Sequence, residues 1–309
     1  MTDSGPYAAH SRVSGNPAVG AEQGTGSPQW DAPSRERDGR PSQGRAGVAI
    51  GERALRLALP IAVFALVIIV WAGVVWFWQI KPFVLPSPSL VFRTLVIDRV
   101  LLGQSLLVTL TTTVEGFALA AAGGFILAVL FNLSRYVEYS LYPYAVILQV
   151  TPVIAIAPLL LVYLQQPTAV LVCAWIVAFF PVLANTTLGL RSVDRNLTDL
   201  FSLYGASPVQ VMWNLKLPAA LPHLLGGLRI AGGLSLVGAV AAEIAAGSGG
   251  AGSGLAFRIM EAQYRLNIPR MFAALLLLSG TGLVIFYLLA LVNYLTLRRW
   301  HESALDGER

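Results

Sequence analysis

Six predominantly apolar runs, each about as long as the 20 or so residues an α-helix needs to cross a bilayer, constrain this chain more than any other feature. They are Leu55 to Ile80, Ser105 to Asn132, Tyr139 to Leu164, Thr168 to Leu190, Leu224 to Ala246 and Met271 to Leu297. Hydrocarbon offers no water to backbone N–H and C=O groups, so spanning segments are helices or closed barrels. Continuous runs of this length predict helices, and the fold class is an all-α polytopic membrane protein with six transmembrane helices. Composition agrees: of 309 residues 56% are hydrophobic and 12% charged, whereas about a quarter of a soluble domain is charged.

The net charge of +5 does not mark a nucleic-acid binder. Lys and Arg stand singly beside apolar runs, as membrane-flanking anchors do, and form no basic stripe. With the N-terminus inside, Arg45, Arg53, Arg56, Arg135, Arg191, Arg195, Lys216, Arg298 and Arg299 fall on the cytoplasmic side, against Lys81, Arg93, Arg99, Arg258, Arg265 and Arg270 outside. That bias predicts cytoplasmic termini. Residues 1–50 are rich in Gly, Ser, Pro, Arg and Asp without apolar periodicity and read as a disordered cytoplasmic tail. Residues 51–300 then form the transmembrane domain and 301–309 a cytoplasmic C-terminal tail. The first apolar run lies too deep for a secretory signal and is expected to remain as an anchor. The single cysteine, Cys173, lies in an apolar run and reads as a buried structural thiol.

The connections are unequal: 81–104, 191–223 and 247–270 are long enough to hold helices of their own. The segment 191–223 is polar and punctuated. Asp194 to Leu203 suits a short helix, which Gly205 ends by permitting a left-handed turn. Ser207 then serves as N-cap with Pro208 at the first helical position. A second short helix follows over Val209 to Leu215, with Val209, Met212 and Trp213 predicted on one face, and Pro218 predicted to close it.

Enzymatic motifs fail in context. Residues 247–252 read GSGGAG and satisfy GxGxxG, yet a membrane helix precedes them where the dinucleotide motif needs a strand. They read as a hinge leading into a short helix, Gly254 to Tyr264. A P-loop signature is absent from the sequence, so the chain carries no usual nucleotide cradle, and no catalytic residue, cofactor or metal is expected. His10, His223 and His301 show neither triad nor metal spacing.

Ionisable groups inside a membrane are costly and are functional candidates by default. Glu115 and Glu243 form the notable pair, as translocation-pathway or interhelical polar contacts, joined as candidates by Gln149, Thr151, Pro152 and Asn185. Arg229 reads as a snorkelling residue near the cytoplasmic end of its helix. Gly226, Gly227, Gly232, Gly233 and Gly238 allow close helix approach. Pro152, Pro158 and Pro181 are expected to kink the third and fourth helices.

The loop carries a family resemblance. Asp199-Leu200-Phe201, then Gly205, Leu215 and Leu217-Pro218 fall at the spacing of the cytoplasmic loop of ABC-type importer permeases: Glu-Ala-Ala, three residues, Gly, nine residues, Ile, one residue, Leu-Pro. LPSPS (85–89), EGFALA (115–120), TPVIAIAPLLLVY (151–163), AFFPVLANT (178–186), LPAALPHLLGGLRIA (217–231) and AAEI (241–244) extend the likeness toward the sulfonate, taurine, nitrate and thiamine-precursor branch. The resemblance implies a type I importer in a bacterial inner membrane. Its expected partners are a second permease chain as a homodimer, a pair of cytoplasmic ATPase subunits that bind the ATP, and an extracytoplasmic substrate-binding protein. The helix after Gly205 becomes the coupling helix, with Asp199, Gly205, Ser207, Pro208, Val209, Met212, Trp213, Leu217 and Pro218 as the coupling residues. The triplet departs from the pattern: Asp199 keeps the carboxylate, but Leu200 and Phe201 replace small residues. A stand-alone secondary transporter or a membrane-embedded enzyme is the alternative, and the inverted repeats or catalytic cluster it calls for are not visible.

Overall fold

The computed structural model describes the backbone of residues 43–247 and 252–298, with side chains from residue 58 onward. The two predicted tails lie outside the described residues, apart from helical backbone that starts at Gln43. By internal contacts the chain divides into residues 1–59 and residues 60–309, and the bundle belongs to the second unit.

The elements are α1 (Gln43–Phe77), α2 (Pro88–Ile97), α3 (Arg99–Leu133), α4 (Arg135–Val150), α5 (Val153–Tyr163), α6 (Gln166–Arg191), α7 (Arg195–Leu203), α8 (Pro208–Val211), a π-helical turn (Met212–Lys216), α9 (Leu217–Ala246), α10 (Leu255–Tyr264) and α11 (Ile268–Leu297). Within Ala58–Phe77 and in α3, α6, α9 and α11 the chain is helical, long and apolar enough to cross a membrane. The pair α4 and α5, which meet at 102°, makes a sixth crossing if the two are counted as one broken span.

The kink expected at Pro152 in the span Tyr139 to Leu164 is therefore a full break between two helices. Pro152 has no N–H to donate and pushes the preceding residue out of the α region. Thr151 accordingly adopts φ −73°, ψ 123°, and Pro152 φ −67°, ψ 118°, so the helix ends and restarts. Pro158 and Pro181, by contrast, lie inside α5 and α6. Next to Pro181, Asn185 Nδ2 donates to the proline's own carbonyl at 2.8 Å.

Three spans, α3, α6 and α9, pack most closely. Lipid tails are as apolar as leucine, so small residues that admit dispersion contact and interhelical hydrogen bonds must hold such helices together. Along α3 the buried stripe is Leu102, Ser105, Thr109, Thr113, Gly116, Ala120, Gly124 and Ala128, recurring every three or four residues. A Cβ on Gly116 would lie 2.6 Å from the Cβ of Ala174 on α6, and one on Gly238 of α9 would lie 2.8 Å from the carbonyl oxygen of Cys173. Ser235 on α9 donates to the Thr113 carbonyl at 2.8 Å, tying α9 to α3. Of the five glycines read as packing residues, Gly227, Gly232 and Gly238 do meet a neighbouring helix. Gly226 and Gly233 face open space, which corrects that part of the expectation.

Beyond the Ser87-capped α2, Asp98 pairs with Arg270 at the start of α11 at 2.6 Å. Near that end, the side chain of Trp71 packs against Phe272, with ring centroids 5.7 Å apart. Arg229 lies inside α9, not at its end, and its guanidinium stacks 4.3 Å over the ring of Phe286 on α11. The ring of Phe286 gives the cation a favourable contact in addition to snorkelling.

The contact between α6 and α9 gives a paired test. Gly238→Ala drives a methyl into the α6 backbone and is expected to cost about 1–3 kcal/mol, read as a lower thermal midpoint in detergent. Gly233→Ala, with no heavy atom within 4 Å, is expected to leave that midpoint unchanged.

Candidate functional site: a capped lever and a carboxylate clasp

At one end of the bundle, residues 192–216 build the feature the sequence singles out. Asp194 caps α7 by accepting from the Asn196 amide at 3.0 Å. After α7, Gly205 takes φ +71°, a left-handed conformation that costs an L-residue roughly 1–2 kcal/mol. No heavy atom lies within 4 Å of where its Cβ would stand, so conformation and not space dictates glycine here. Ser207 and Gln210 then form a reciprocal capping box: Ser207 Oγ accepts from the Gln210 amide at 3.3 Å, and Gln210 Oε1 accepts from the Ser207 amide at 2.8 Å. The Ser207 cap and Pro208 at the first turn match the expectation from sequence, which omits Gln210, the other half of the box.

Two expectations about this helix are corrected. Pro218 does not close it, because α8 passes through the π turn straight into α9, so Pro208 to Ala246 forms one helical path. In the wider turn the Leu217 amide bonds to the Met212 carbonyl, five residues back. A π bulge is one of the few ways a helix accommodates local disruption such as a proline. Nor do Val209, Met212 and Trp213 present one common exposed face. Met212 is 3% exposed and packs beside Phe131, Leu190 and Ala220, whereas Val209 and Trp213 are 58% and 65% exposed. Met212 lies at one edge of the face that Val209 and Trp213 share, and tertiary packing buries that edge, which local periodicity does not reveal.

Leu217 packs against the same cluster as Met212, and Asp199 is exposed with no ion pair among the described residues. Leu197, Leu200, Leu203 and Tyr204 on or just after α7 expose apolar side chains near Val209 and Trp213 in sequence. Exposed apolar side chains of this size are candidates for an interaction surface when they form one patch.

The opposite end of α9 carries the second feature. Glu243 is buried, and its carboxylate accepts from Thr109 Oγ1 on α3 at 2.8 Å and from the Ala256 amide at 3.0 Å. Thr109 Oγ1 in turn accepts from the Leu255 amide at 2.8 Å. Glu243 and Thr109 thus satisfy two of the orphan N–H groups at the start of α10, where Gly254 supplies no side-chain cap. A Cβ on Gly254 would collide with the Glu243 carboxylate, so glycine is required there by close approach. Around α10, Arg258 Nε donates to Ser105 Oγ at 3.0 Å and its Nη1 to Glu261 at 2.7 Å. That last bond, helped by the charges of Arg258, Arg265 and Arg270, holds the Glu261 carboxyl below its ordinary range.

The structure does not gather the six pathway candidates into one cluster. Glu243 is the clasp just described. Gln149, Thr151 and Pro152 occupy the break between α4 and α5, where Thr151 Oγ1 donates to the Ile147 carbonyl at 2.6 Å. Asn185 sits on α6 against Gly227 of α9. Glu115 is exposed on the outer face of α3, with no hydrogen bond to it among the described residues. Thr109, Ser105 and Gly254 are absent from the candidates, although Ser105 and Thr109 follow the i, i+4 rhythm that continues through Thr113.

Two ends of one long helix, one bearing exposed apolar side chains and one clasping a short helix, belong to a polytopic membrane component. Residues 120–299 match the family described as binding-protein-dependent transport system inner membrane component, and the chain belongs to that family. It is 33% identical over 234 residues to a probable ABC transporter permease protein of Haemophilus influenzae, covering 75% of this chain and 94% of that one. The formylaminopyrimidine transport permease protein ThiX of Halalkalibacterium halodurans is 34% identical over 211 residues, covering 67% and 82%. Among solved structures, the MetNI methionine ABC transporter in inward-facing conformations shares the fold, with TM-score 0.55 over 64% of this chain and 95% of that one, at 18% identity.

The clasp has a direct test. Glu243→Gln, which cannot accept at both carboxylate oxygens, is expected to speed amide exchange at Ala256 by about tenfold or more, the effect of leaving a buried N–H poorly paired. Glu115→Gln should leave α10 exchange unchanged.

Proposed function

We propose that this chain is a permease subunit of an ABC importer, without enzymatic activity of its own, that converts closure of separate ATPase subunits into movement of α9. The observation that carries the reading is the continuity of the capped lever with α9 through the π turn. Its exposed Val209 and Trp213, with the apolar residues of α7, supply the docking face for the ATPase, and Asp199 offers a carboxylate to a basic group there. Met212, Leu217 and Pro218 anchor and join the lever, while Gly205, Ser207 and Pro208 set its angle. The assembly is a homodimer of this chain with two ATPase subunits, which bind the ATP, and an external binding protein.

The solute is small and polar, from the class that includes sulfonates, taurine, nitrate and thiamine-precursor pyrimidines. The relative named for formylaminopyrimidine makes that pyrimidine the first to test. Gln149, Thr151, Pro152, Asn185 and Glu115 are pathway candidates, and the break between α4 and α5 frees backbone groups of the kind that line membrane cavities.

Residues 192–216 face the cytoplasm and α10 faces outward, with both termini inside. In a Cys173→Ala background, Tyr264→Cys is expected to react with an impermeant thiol reagent in intact cells, and Tyr204→Cys to react only after lysis. Both side chains are more than 80% exposed. Ser253, although in the same outer segment as Tyr264, is buried and would be a poor reporter. Labelling of Tyr204→Cys from outside would invert the topology and overturn the reading.

In vesicles holding the ATPase and loaded binding protein, Gly205→Val is expected to lower solute-stimulated ATPase activity and uptake at least tenfold at normal expression. Gly205→Asn, which tolerates a positive φ, should retain most of both. Trp213→Asp should weaken ATPase co-purification without lowering the melting midpoint. Met212→Asp, which buries a carboxylate, should lower that midpoint. Full uptake by Gly205→Val would refute the lever.

A further inference from the structure

Beside the lever lies a cavity of about 400 Å³ that the coupling reading does not use, lined by Asn132 from α3, Arg135, Glu138 and Tyr139 from the first turns of α4, Arg191 at the end of α6, and Lys216, the last residue of the π turn. Three cations face one carboxylate. Glu138 is engaged by Arg191, and one of the three Lys216 donors is taken by Asn132 Oδ1 at 2.8 Å. Arg135 is exposed and has no carboxylate partner among the described residues. After its internal pairing, therefore, the cavity still offers positive charge and free N–H donors, the complement of an anionic oxygen cluster.

Depth in the membrane narrows the ligand. The cavity sits where α3 ends at Leu133 and α6 ends at Arg191, at one end of two apolar spans and so toward one membrane face. Four tyrosines are spread along α4 from the same end: Tyr136, Tyr139, Tyr142 and Tyr144 are 84%, 70%, 46% and 65% exposed. Tyrosine concentrates where ring and hydroxyl can lie at the headgroup boundary. Basic pockets between helices at that depth on the cytoplasmic side suit phospholipid headgroups, and that leaflet carries the anionic lipid.

We propose that this cavity binds the phosphate of an anionic phospholipid headgroup, held by Arg135, Arg191 and Lys216, with its acyl chains running along the exposed apolar side of α4. Because Lys216 joins the lever to α9, an occupied site clamps the π turn against the ends of α3 and α6. Anionic lipid then becomes a requirement for firm coupling. The inference rests on the proposed cytoplasmic placement of residues 192–216 and does not depend on which solute is carried.

The test uses the full-length chain purified in detergent, titrated with phosphatidylglycerol against phosphatidylcholine and followed by native mass spectrometry. Wild type is expected to retain phosphatidylglycerol preferentially. Arg135→Gln, on the exposed first turn of α4, should weaken that binding about fivefold, and Arg135→Gln/Lys216→Gln about 30-fold, as one and two interfacial cations are removed. Arg298→Gln, a basic residue at the end of α11 and outside the cavity, should bind as wild type does. An unchanged melting midpoint for Arg135→Gln in phosphatidylcholine shows that its loss is not misfolding. Equal retention by Arg135→Gln and wild type, or displacement of the lipid by inorganic phosphate at matched concentration, would overturn the proposal, the latter marking a site for free anions.

Discussion

Close approach between α6 and α9 is the constraint on which the other elements depend. No hydrophobic drive presses one helix on another inside lipid, so contact area must come from backbones that nearly touch. Ala174 shows how little room there is: Gly116 of α3 lies on one side of it and Gly238 of α9 on the other. Gly227 repeats the arrangement against Asn185 and the Pro181 carbonyl, and Gly189 of α6 against Ala220. With three spans fixed in this way, the interhelical polar contacts at either end have a rigid frame to act from.

Glu243 illustrates what the frame permits. An isolated carboxylate in such a place would be very unfavourable, yet its two oxygens receive donors from α3 and from the first turn of α10. Removing water is tolerable because the donors are preplaced by the packing of α3 and α9, and because Gly254 leaves space for the carboxylate to reach the backbone. The residue therefore ties three elements that are far apart in sequence.

Apolar length alone marks the spans, and the local chemistry of Gly205, Ser207 and Pro208 marks the turn and the cap, because both signals are carried by residues adjacent in the chain. What the sequence conceals has a common physical origin in long-range or register effects. Nothing near Met212 announces a π turn, nor that Phe131, Leu190 and Ala220 gather in one buried cluster with it. Thr151-Pro152 announces a kink but not a 102° break. The partners of Glu243 are hidden too, since Thr109 and Ala256 come to it only through tertiary packing. The ring beneath Arg229 is hidden as well, because Phe286 belongs to a different helix.

The unbroken path from Pro208 to Ala246 has a mechanical corollary. α9 alone contains 30 residues and is therefore about 45 Å long. If it pivots as a rod near the π turn, an inclination of only about 5° sweeps its far tip through an arc of about 4 Å, by the same rise per residue. At that tip sits Glu243, whose grip on Ala256 makes α10 travel with it. Because α9 is packed backbone to backbone on α6, such a stroke would carry α3 and α6 with it and reach the far surface magnified, without any element in between having to unfold.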